Sequence, residues 1–570
     1  MAKKGVVLIV SMVVMAMVLI LTGVYFSGLL TEKRSADAEK FVIQALGLAE
    51  AGANHGISEL REEIRTDLKT ALEGTNVNQL RSDLDGYFAG QNPLGLLENY
   101  AQFTGNASLA TLTLSALDLS TAVQGNYTAT ITVTPQPISG EITSNPEHPQ
   151  EDTYIFYYNY IIDAQGNITA TLPTIQKNIS LQQGSFVLTV QRDTFSKFAL
   201  FTNHHKMPSG DTVWFTANTN FTGPLHTNER FSFANNPSAN FSAQATQHLT
   251  TARFYNNGSP RLLNADSNPP FDVPTFQAGF DRGVDEINLP SSLTQQDLKD
   301  QATGGQNDGP WSSGVYLPND AGNLVGGVYI KGNASNLTMS VDGNNRPVYT
   351  ITQGTNTKKI TVDYVNNQTI VENISGSGGT SAGTYTGIPD GVTNEGTIVY
   401  DNGSISNFSG TVQSDTELTV SSDSDIVINN HVKYQSFNDT QPPDALGFTN
   451  ILGILTWNGN VRIGTSAPND ISIHGVVMAA GRNGVFTVDN YRTPPSRGTA
   501  TLLGGAITDF YGPFGTFSGG QQRSGYGRNF VYDERMLEGT TPPFFPFLTN
   551  FTSFDDGGLE NRLIWQDKGV

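Results

Sequence analysis

The sequence contains no cysteine, so it can form neither a disulfide bond nor a thiolate metal site, and it has no cysteine nucleophile. Charged residues are also scarce, at 15% of the chain against about 25% in an average soluble domain. Uncharged polar residues must therefore cover the surface of whatever folds. This composition argues against an ordinary cytosolic helical enzyme.

Basic residues are the rarer charge: 32 Lys and Arg stand against 52 Asp and Glu, which gives a net charge of −20. Binding to nucleic acid or to anionic lipid draws its affinity from clustered Lys and Arg, so the charge argues against both partners. The 570 residues allow two to four domains of about 100–200 residues each. A hydrophobic fraction of 37% is enough for a sizeable core.

One long apolar run lies near the N-terminus. No charged residue occurs between Gly5 and Thr31, and residues 6–30 read VVLIVSMVVMAMVLILTGVYFSGLL. As a helix this run rises about 38 Å, more than the roughly 30 Å hydrocarbon core of a bilayer. A cleaved secretory signal is the alternative, but its apolar region is usually about 7 to 15 residues long. We expect one membrane span, with Lys3 and Lys4 favouring a cytoplasmic N-terminus.

The helical pattern continues beyond the apolar run. Leu46, Ala49, Ala53, Ile57, Leu60, Ile64 and Leu68 recur at steps of three and four residues. The sequence therefore predicts one long helix over 6–72, half apolar and half amphipathic. Its segment 44–60 is rich in Ala and Gly, which permits close approach of another helix or of a sheet.

A change to alternating polar and apolar residues predicts a small antiparallel sheet within 73–194. Residues 127–133, 154–162 and 185–191 have the pattern of strands. We expect the second strand to turn through Asp163–Gly166 into a strand at 168–172. A long helix followed by such a sheet resembles the plan of a pilin head.

From residue 195 to 535 the sequence is rich in Gly, Asn, Ser and Thr, with short β-branched runs between turn pairs such as Asn402-Gly403. Regularly spaced short strands without helices predict a β-solenoid-like domain, and a β-sandwich is the alternative. Residues 345–382 interrupt the spacing. Residues 536–570 are predicted as a Pro- and Phe-rich C-terminal tail. The fold class is thus mainly β with a long N-terminal α-helix.

The leader MAKKG, the apolar run from Val6 and the motif LAEAGAN at 48–54 resemble the N-terminus of type IV pilin-like proteins of the PilX type. The resemblance implies that residues 1–5 are a leader, that prepilin peptidase cuts after Gly5, and that Val6 becomes the N-methylated first residue. Major pilins carry Glu at the fifth mature position, where this chain has Val10, so the resemblance implies a minor pilin. Alternatively, the leader is not cleaved and the span only anchors the protein.

Two further segments resemble a domain of unknown function, DUF4900, that accompanies PilX-type N-termini. One is FTGPLHTN at 221–228, and the other is a closing block between residues 514 and 546. The resemblance marks structural signatures rather than an activity. The signature residues are Gly223, Pro224, His226, Asn228, Tyr526, Tyr532, Asp533, Pro542 and Pro543.

No catalytic, cofactor-binding or metal-binding residue is assigned from the sequence. Residues 379–383 (GTSAG) match the GxSxG pattern of a serine nucleophile, but they lie in a Gly- and Ser-rich run with no strand-to-helix context. The adjacent His204 and His205 point to opposite faces of a strand, so they cannot easily share a metal with His226.

Calcium remains the one cofactor alternative, because Asp and Asn cluster in several loops without the spacing of an EF-hand. These loops contain Asn307-Asp308, Asn319-Asp320, residues 423–425, and Asp555-Asp556.

The sequence therefore favours a non-enzymatic minor pilin, anchored in a bacterial inner membrane through residues 6–30, with an extracytoplasmic head. It would act in pilus priming, at the tip, or in adhesion at the pilus or cell surface. Its partners would be other pilins, the assembly machinery, prepilin peptidase and a surface ligand. The alternatives are a DNA-capturing competence pilin, with Arg523, Arg528 and Arg535 as local basic residues, and an anchored polysaccharide-active enzyme.

Overall fold

The computed structural model describes residues 2–72, 110–114, 125–135, 141–143, 153–168, 175–191, 194–215, 220–234, 240–255, 260–263, 273–437, 449–518, 521–537, 539–548, 553–555 and 565–567. The chain divides into two compact units. Residues 1–143, 152–191 and 553–570 form the first, here called the helix–sheet unit. Residues 144–151 and 192–552 form the second, the coil unit.

The fold is mainly β with one long N-terminal helix, as predicted. The helices within the described residues are α1 (Ala2–Leu72) and α2 (Ser292–Thr303), with short 3₁₀ turns at Phe195–Lys197 and Glu534–Leu537. The strands of the helix–sheet unit are β1 (Ala110–Leu114), β2 (Gly125–Pro135), β3 (Glu141–Thr143), β4 (Thr153–Ile168) and β5 (Ile175–Gln191), and two further C-terminal strands that follow the coil unit in the chain.

The first half of the coil unit contains β6 (Leu200–His204), β7 (Asn220–Phe221), β8 (Leu225–Thr227), β9 (Ser232–Phe233), β10 (Asn240–Phe241), β11 (Ala245–Gln247), β12 (Ala252–Phe254), β13 (Arg261–Leu263), β14 (Thr275–Phe276), β15 (Phe280–Arg282), β16 (Gly314–Tyr316), β17 (Asn319–Asp320), β18 (Asn323–Leu324), β19 (Val328–Lys331), β20 (Ala334–Val341), β21 (Pro347–Gln353), β22 (Asn356–Asp363), β23 (Gln368–Ser375) and β24 (Gly383–Thr386).

The second half contains β25 (Thr397–Asp401), β26 (Ile405–Val412), β27 (Glu417–Ser422), β28 (Ile426–Tyr434), β29 (Ile451–Thr456), β30 (Val461–Ile463), β31 (Ser472–His474), β32 (Val476–Ala479), β33 (Phe486–Val488), β34 (Ser496–Leu503), β35 (Ala506–Phe510), β36 (Gly515–Ser518) and β37 (Gln521–Val531). The C-terminal strands of the helix–sheet unit are β38 (Ser553–Asp555) and β39 (Trp565–Asp567).

The helix–sheet unit is an antiparallel sheet with α1 packed on it. Its described strands lie in the order β1-β2-β4-β5-β38, with β3 paired to β4 and β39 paired to β5. The expected turn at Asp163–Gly166 is wrong: β4 runs straight through to Ile168, and its pairing with β2 and β5 is continuous there. The residues expected as a strand at 169–172 lie outside the described part of the chain.

From β25 to β37 the chain passes repeatedly between two large sheets, so that each strand of the first sheet is followed by one or two strands of the second. Among the described residues, one sheet has the order β15-β11-β8-β6-β35-β32-β29-β27-β25-β19-β16, and all its pairs are parallel except β19 with β16. Consecutive circuits of the chain stack in register and share one core. A sandwich of antiparallel sheets would not give these parallel ladders.

A single column of buried apolar side chains runs through this parallel sheet and shows why the short β-branched runs form strands. Each member pairs in register with the next, and each is buried, so the column packs as one continuous core. The column consists of Val328, Val399, Val420, Ile454, Val477, Ala506, Leu200, Leu225, Ala245 and Phe280.

The coil unit begins and ends in the middle of this sheet. The chain enters at β6, continues outward to β15, and then resumes at the opposite end with β16 and returns to β35, which pairs with β6. The two chain ends of the unit therefore meet: Thr194 forms a bridge with Phe547, and the Phe195 N–H donates to the Pro546 carbonyl at 3.0 Å. Because the ends are adjacent, the unit can be inserted between β5 and β38 of the helix–sheet unit.

The expectation that residues 195–535 contain no helix is wrong, because α2 lies between β15 and β16. Its Leu298 and Ala302 are buried, and Gly304 adopts a φ of +64° at the C-terminal end. A left-handed glycine there is a common helix stop. The polar run between these residues hid the helix from a search for apolar periodicity.

The residues expected as a C-terminal tail have defined places in the structure. Phe544, Phe545 and Leu548 are buried in the core of the coil unit. Strands β38 and β39 pair with β5 of the helix–sheet unit. The interruption expected at 345–382 corresponds to an antiparallel meander, β20 to β24.

Candidate functional site

The first half of α1 is an exposed apolar surface. The large apolar side chains from Val6 to Leu30 are exposed, including Val6 at 61% and Val10 at 54%. The polar Ser11, Thr22 and Thr31 hydroxyls donate to carbonyls one turn earlier in the helix, at 2.8, 2.6 and 2.8 Å. Helical back-bonding of this kind satisfies hydroxyl groups that have no water around them.

In the described part of the chain, one helix is long and apolar enough to cross a membrane, and it lies near the N-terminus. A signal sequence at that position passes the same test of length and composition. Gly5 lies within α1, which begins at Ala2. These observations fit a protein anchored by its N-terminal helix, and they leave cleavage after Gly5 and methylation of Val6 as predictions.

The second half of α1 packs on the antiparallel sheet through small residues. A Cβ placed at Gly166 of β4 would lie 2.0 Å from the carbonyl oxygen of Ala45, so the backbones are in direct contact. A Cβ at Gly52 would lie 2.8 Å from the Tyr127 ring. The Tyr127 hydroxyl and His55 Nδ1 are 3.0 Å apart. The Ala- and Gly-rich face thus has the role expected from the sequence, and Gly166 is a helix contact rather than a turn residue.

Two distant signature residues meet in the coil unit. The ring of Tyr532 lies against Gly223, where a Cβ would be 2.3 Å from Tyr532 Cγ. The Tyr532 hydroxyl donates to the Lys197 carbonyl at 2.8 Å. Next to Gly223, the Pro224 carbonyl accepts the N–H of Ala199 at 2.8 Å. Tyr532 therefore joins the last strands of the unit to its first coil.

His226 and Asn228 form a buried polar corner beside this contact. The His226 ring stacks on Phe201, and its nitrogens lie 2.8 Å from Thr246 Oγ1 and 2.9 Å from Asn228 Oδ1. Asn228 also exchanges two hydrogen bonds with the Ile287 backbone, at 2.7 and 2.9 Å. Burial lowers the pKa of His226 to about 4, although the hydrogen bond to Asn228 raises it. His226 is therefore neutral at pH 7 and serves to fix the corner.

The remaining signature residues are also structural. The Tyr526 hydroxyl donates to the Pro468 carbonyl at 2.7 Å, and Asp533 is fully buried in an ion pair with Arg535. Pro543 accepts a hydrogen bond from the Thr419 hydroxyl. Pro542 packs against Gly453, where an added Cβ would lie 3.0 Å from the Cβ of Pro542. All of them hold the closing segment onto the coils.

No three His, Asp or Glu side chains come together as a metal-binding group in the described part of the chain. His205 lies against Phe215 and Phe231 instead, and burial, with the positive charge of Arg528, lowers its pKa to about 3. The nearby His204 is 3.0 Å from Glu229 Oε1.

Three of the acidic residues considered for calcium, Asp308, Asp423 and Asp425, have protein partners of their own. Although burial raises the pKa of Asp308, hydrogen bonds from Tyr329, Lys299 and Lys331 lower it to about 2. Asp423 accepts from the Tyr400 hydroxyl and from Gln295. Asp425 is paired with Arg462 at 3.1 Å. Asn319 Nδ2 donates to the Leu317 carbonyl at 3.0 Å, Asp555 lies in β38, and Asp556 lies outside the described residues.

Sequence reasoning missed a repeat of 20 residues that would have located the first coils. Asn220-Phe221 pairs in parallel with Asn240-Phe241, and the Phe221 and Phe241 rings stack at 6.1 Å. The backbone N–H of Asn240 donates to Asn220 Oδ1 at 3.0 Å. Aligning NFTGPLHT with NFSAQATQ was the available signal.

Sequence reasoning also missed a buried carboxyl group at a coil corner. Asp401 is fully buried and accepts the N–H groups of Gly403 at 2.7 Å and Ala334 at 3.0 Å. Burial raises its pKa to about 7, although these two hydrogen bonds act in the opposite direction.

Comparison with known proteins identifies one domain. Residues 153–248 match the domain of unknown function DUF4900. The match includes the segment 221–228 and confirms the resemblance there, whereas the closing block lies outside it. No curated protein matches the chain significantly.

Among solved structures, the chain is similar to the competence-associated pilin ComZ from Thermus thermophilus. The two share 11% sequence identity, with 91% of this chain and 97% of that chain covered, at a TM-score of 0.29. A likeness of this degree supports no conclusion about fold or function.

Proposed function

We propose that this protein is a minor pilin-like subunit that displays its coil unit outside the cytoplasm. The observation that carries the proposal is the division of α1: its first half is exposed and apolar, and its second half packs on an antiparallel sheet. One helix of this kind can anchor a subunit in a membrane and present a head beyond it. The PilX-like leader and Val10 support processing at Gly5 and a minor position.

The insertion of the coil unit supports a low-copy role. The unit extends from residue 192 to 552, so most of the chain lies in it rather than in the helix–sheet unit. A head of this size on every subunit would obstruct lateral packing along a filament. We therefore propose a tip or priming position, with exposed loops of the coil unit available for an adhesive ligand. The proposed role is non-enzymatic, and its partners are other pilins and the assembly machinery.

Nucleic-acid capture has less support. Of the three basic residues named for it, Arg535 is neutralised by the buried Asp533, and Arg528 lies over the Tyr511 ring at 4.7 Å. The net charge of −20 opposes a polyanion as well.

The proposal is tested by producing the full chain in bacterial membranes with and without a prepilin peptidase and measuring the mass of the N-terminal peptide. We expect a methylated N-terminus at Val6 only when the peptidase is present. Gly5→Leu should retain residues 1–5, and Gly47→Ala is the matched control that should be processed normally. Retention of Met1 by the unaltered chain would contradict prepilin processing.

Position in the filament is tested separately with a tag on the coil unit. We expect sparse or terminal labelling of pili. Labelling along the whole filament at stoichiometric density would contradict the minor role.

A further inference from the structure

The first two residues of the GxSxG match, with the residues just before them, cover an edge of the parallel sheet. Among the described strands of this sheet β16 is the last at one end, and residues 376–380 run along its outer side. The Thr380 N–H donates to the Val315 carbonyl at 3.0 Å, and the Leu317 N–H donates to the Thr380 hydroxyl at 2.7 Å. The Thr380 hydroxyl also lies 3.2 Å from the Leu317 carbonyl. Hydrogen-bonding groups of both edge residues are therefore satisfied within the chain.

Two glycines allow this contact. Gly379 has a φ of +92°, and a Cβ there would lie 1.8 Å from the Val315 carbonyl oxygen. A Cβ at Gly314 would lie 2.6 Å from the Gly379 nitrogen. Any side chain at either position would separate the segment from the strand. The glycines thus serve close backbone packing, and no helix follows them as a nucleophile turn requires, because the next element is β24.

Strand β22 holds the segment in place. Lys358 Nζ donates to the Thr380 carbonyl and to Asn373 Oδ1, the latter at 2.6 Å. Asn356 Oδ1 accepts the Gly378 N–H at 2.8 Å. Lys358 is buried, so its ammonium group is committed to these acceptors. A long buried side chain fixed in this way positions the segment rather than solubilising it.

We propose that residues 376–380 form an edge cap that prevents the parallel sheet of one copy from pairing with that of a second copy. The edge beneath the cap is self-complementary. Val315 and Leu317 are alternate residues, so their hydrogen-bonding groups point to the same side of β16. A two-fold axis through Tyr316 would place each Leu317 N–H opposite the Val315 carbonyl of the other copy. An uncovered edge of this kind is a template for association, and the cap removes it.

The absence of cysteine makes a direct test available. In the full chain in detergent, Tyr316→Cys introduces a unique thiol at the centre of the proposed two-fold contact, where facing Cβ atoms are about 4.5–5.5 Å apart. This change is combined with Gly379→Val, which cannot keep the cap closed. The matched control combines it with Gly383→Val, because the nearest atom to a Cβ at Gly383 is 3.8 Å away.

Under mild oxidation we expect severalfold more disulfide-linked dimer with Gly379→Val than with Gly383→Val. Hydrogen exchange at residues 314–317 should also be faster for monomeric Gly379→Val. Equal dimer formation in the two proteins, despite faster exchange in Gly379→Val, would overturn the proposal.

If Gly379→Val does not fold, a second pair of variants addresses the same question. Lys358→Met removes the hydrogen bond to Thr380, and Lys359→Met is its control, since Lys359 is partly exposed and pairs with Glu372. With Tyr316→Cys present, we expect dimer only with Lys358→Met. No difference between the two would contradict the cap.

Discussion

The ring of Tyr532 rests directly on the backbone of Gly223, and its hydroxyl donates to the Lys197 carbonyl at 2.8 Å. This contact joins the last strands of the coil unit to its first coil, at the place where β35 pairs with β6. The chain ends of the unit are thereby held together. Because the two ends are adjacent, the coil unit can follow β5 and precede β38 in the chain.

We predict that Gly223→Ala destabilises the coil unit by about 1–3 kcal/mol, the usual cost of overpacking a tight contact. The added methyl group would lie 2.3 Å from Tyr532 Cγ, so the ring would have to move. The effect is measured by urea unfolding of the full chain in detergent, monitored through hydrogen exchange at residues 195–227. Gly343→Ala is the control, because its Cβ meets nothing within 4 Å. Equal stability of the two variants would contradict the packing role of Gly223.

Alanine substitutions at two glycines of the helix–sheet unit should change its stability in opposite directions. Gly166→Ala would place a Cβ 2.0 Å from the Ala45 carbonyl oxygen and should push α1 off the sheet. Gly47→Ala meets nothing within 4 Å and should stabilise the helix by up to about 1 kcal/mol. Thermal unfolding monitored by exchange in β4 would distinguish them. A neutral Gly166→Ala would show that the helix does not contact the sheet there.

The protonation of His226 should couple stability to pH. Its folded pKa is about 4 and its ordinary value is 6.5, so the unfolded state binds more protons between these limits. The contribution of neutral His226 to the free energy of unfolding is complete above about pH 6.5. It is lost as the pH falls towards about 4, at about 1.4 kcal/mol per pH unit. We expect the free-energy difference between the native protein and His226→Gln to shrink accordingly in urea titrations. A difference independent of pH would refute this account.

Asp401 should act in the opposite sense. Burial raises its folded pKa from 3.8 to about 7, so the folded state binds more protons between these values. The contribution of protonated Asp401 to the free energy of unfolding is present below about pH 3.8 and is lost as the pH rises through about 7. Relative to Asp401→Asn, the native protein should therefore lose stability from acidic to neutral pH. Asp281→Asn, at an exposed position, is the control and should show no such trend.

Removing residues 553–570 should weaken the helix–sheet unit selectively. The deletion takes away β38 and β39, which pair with β5 at residues 189–191 and 179–181. Exchange at these two segments of β5 should accelerate, while the core of the coil unit keeps its protection. Removal of residues 568–570 alone is the control. Unchanged exchange along β5 would mean that the C-terminal strands do not stabilise the sheet.

The sequence indicated the long helix because its signal is local. An uncharged apolar run followed by apolar residues at steps of three and four specifies a helix whatever it packs against, and α1 extends over both parts of this pattern. The alternating runs at 127–133 and 154–162 likewise indicated strands. The turn predicted at Asp163–Gly166 was wrong, because a glycine has the same local sequence signature in a turn and at a close backbone contact.

By itself, then, the sequence determined the helix, the mainly β body and the signature residues, since each of these depends on neighbours within a few positions. Only the tertiary structure decided that the coils start and close in the middle of a sheet, and that Tyr532 meets Gly223. It also placed the C-terminal strands beside β5, and it placed Gly379 and Thr380 of the GTSAG match along the edge of β16. These relationships depend on contacts between residues far apart in the chain, and such contacts leave no periodic trace in either partner.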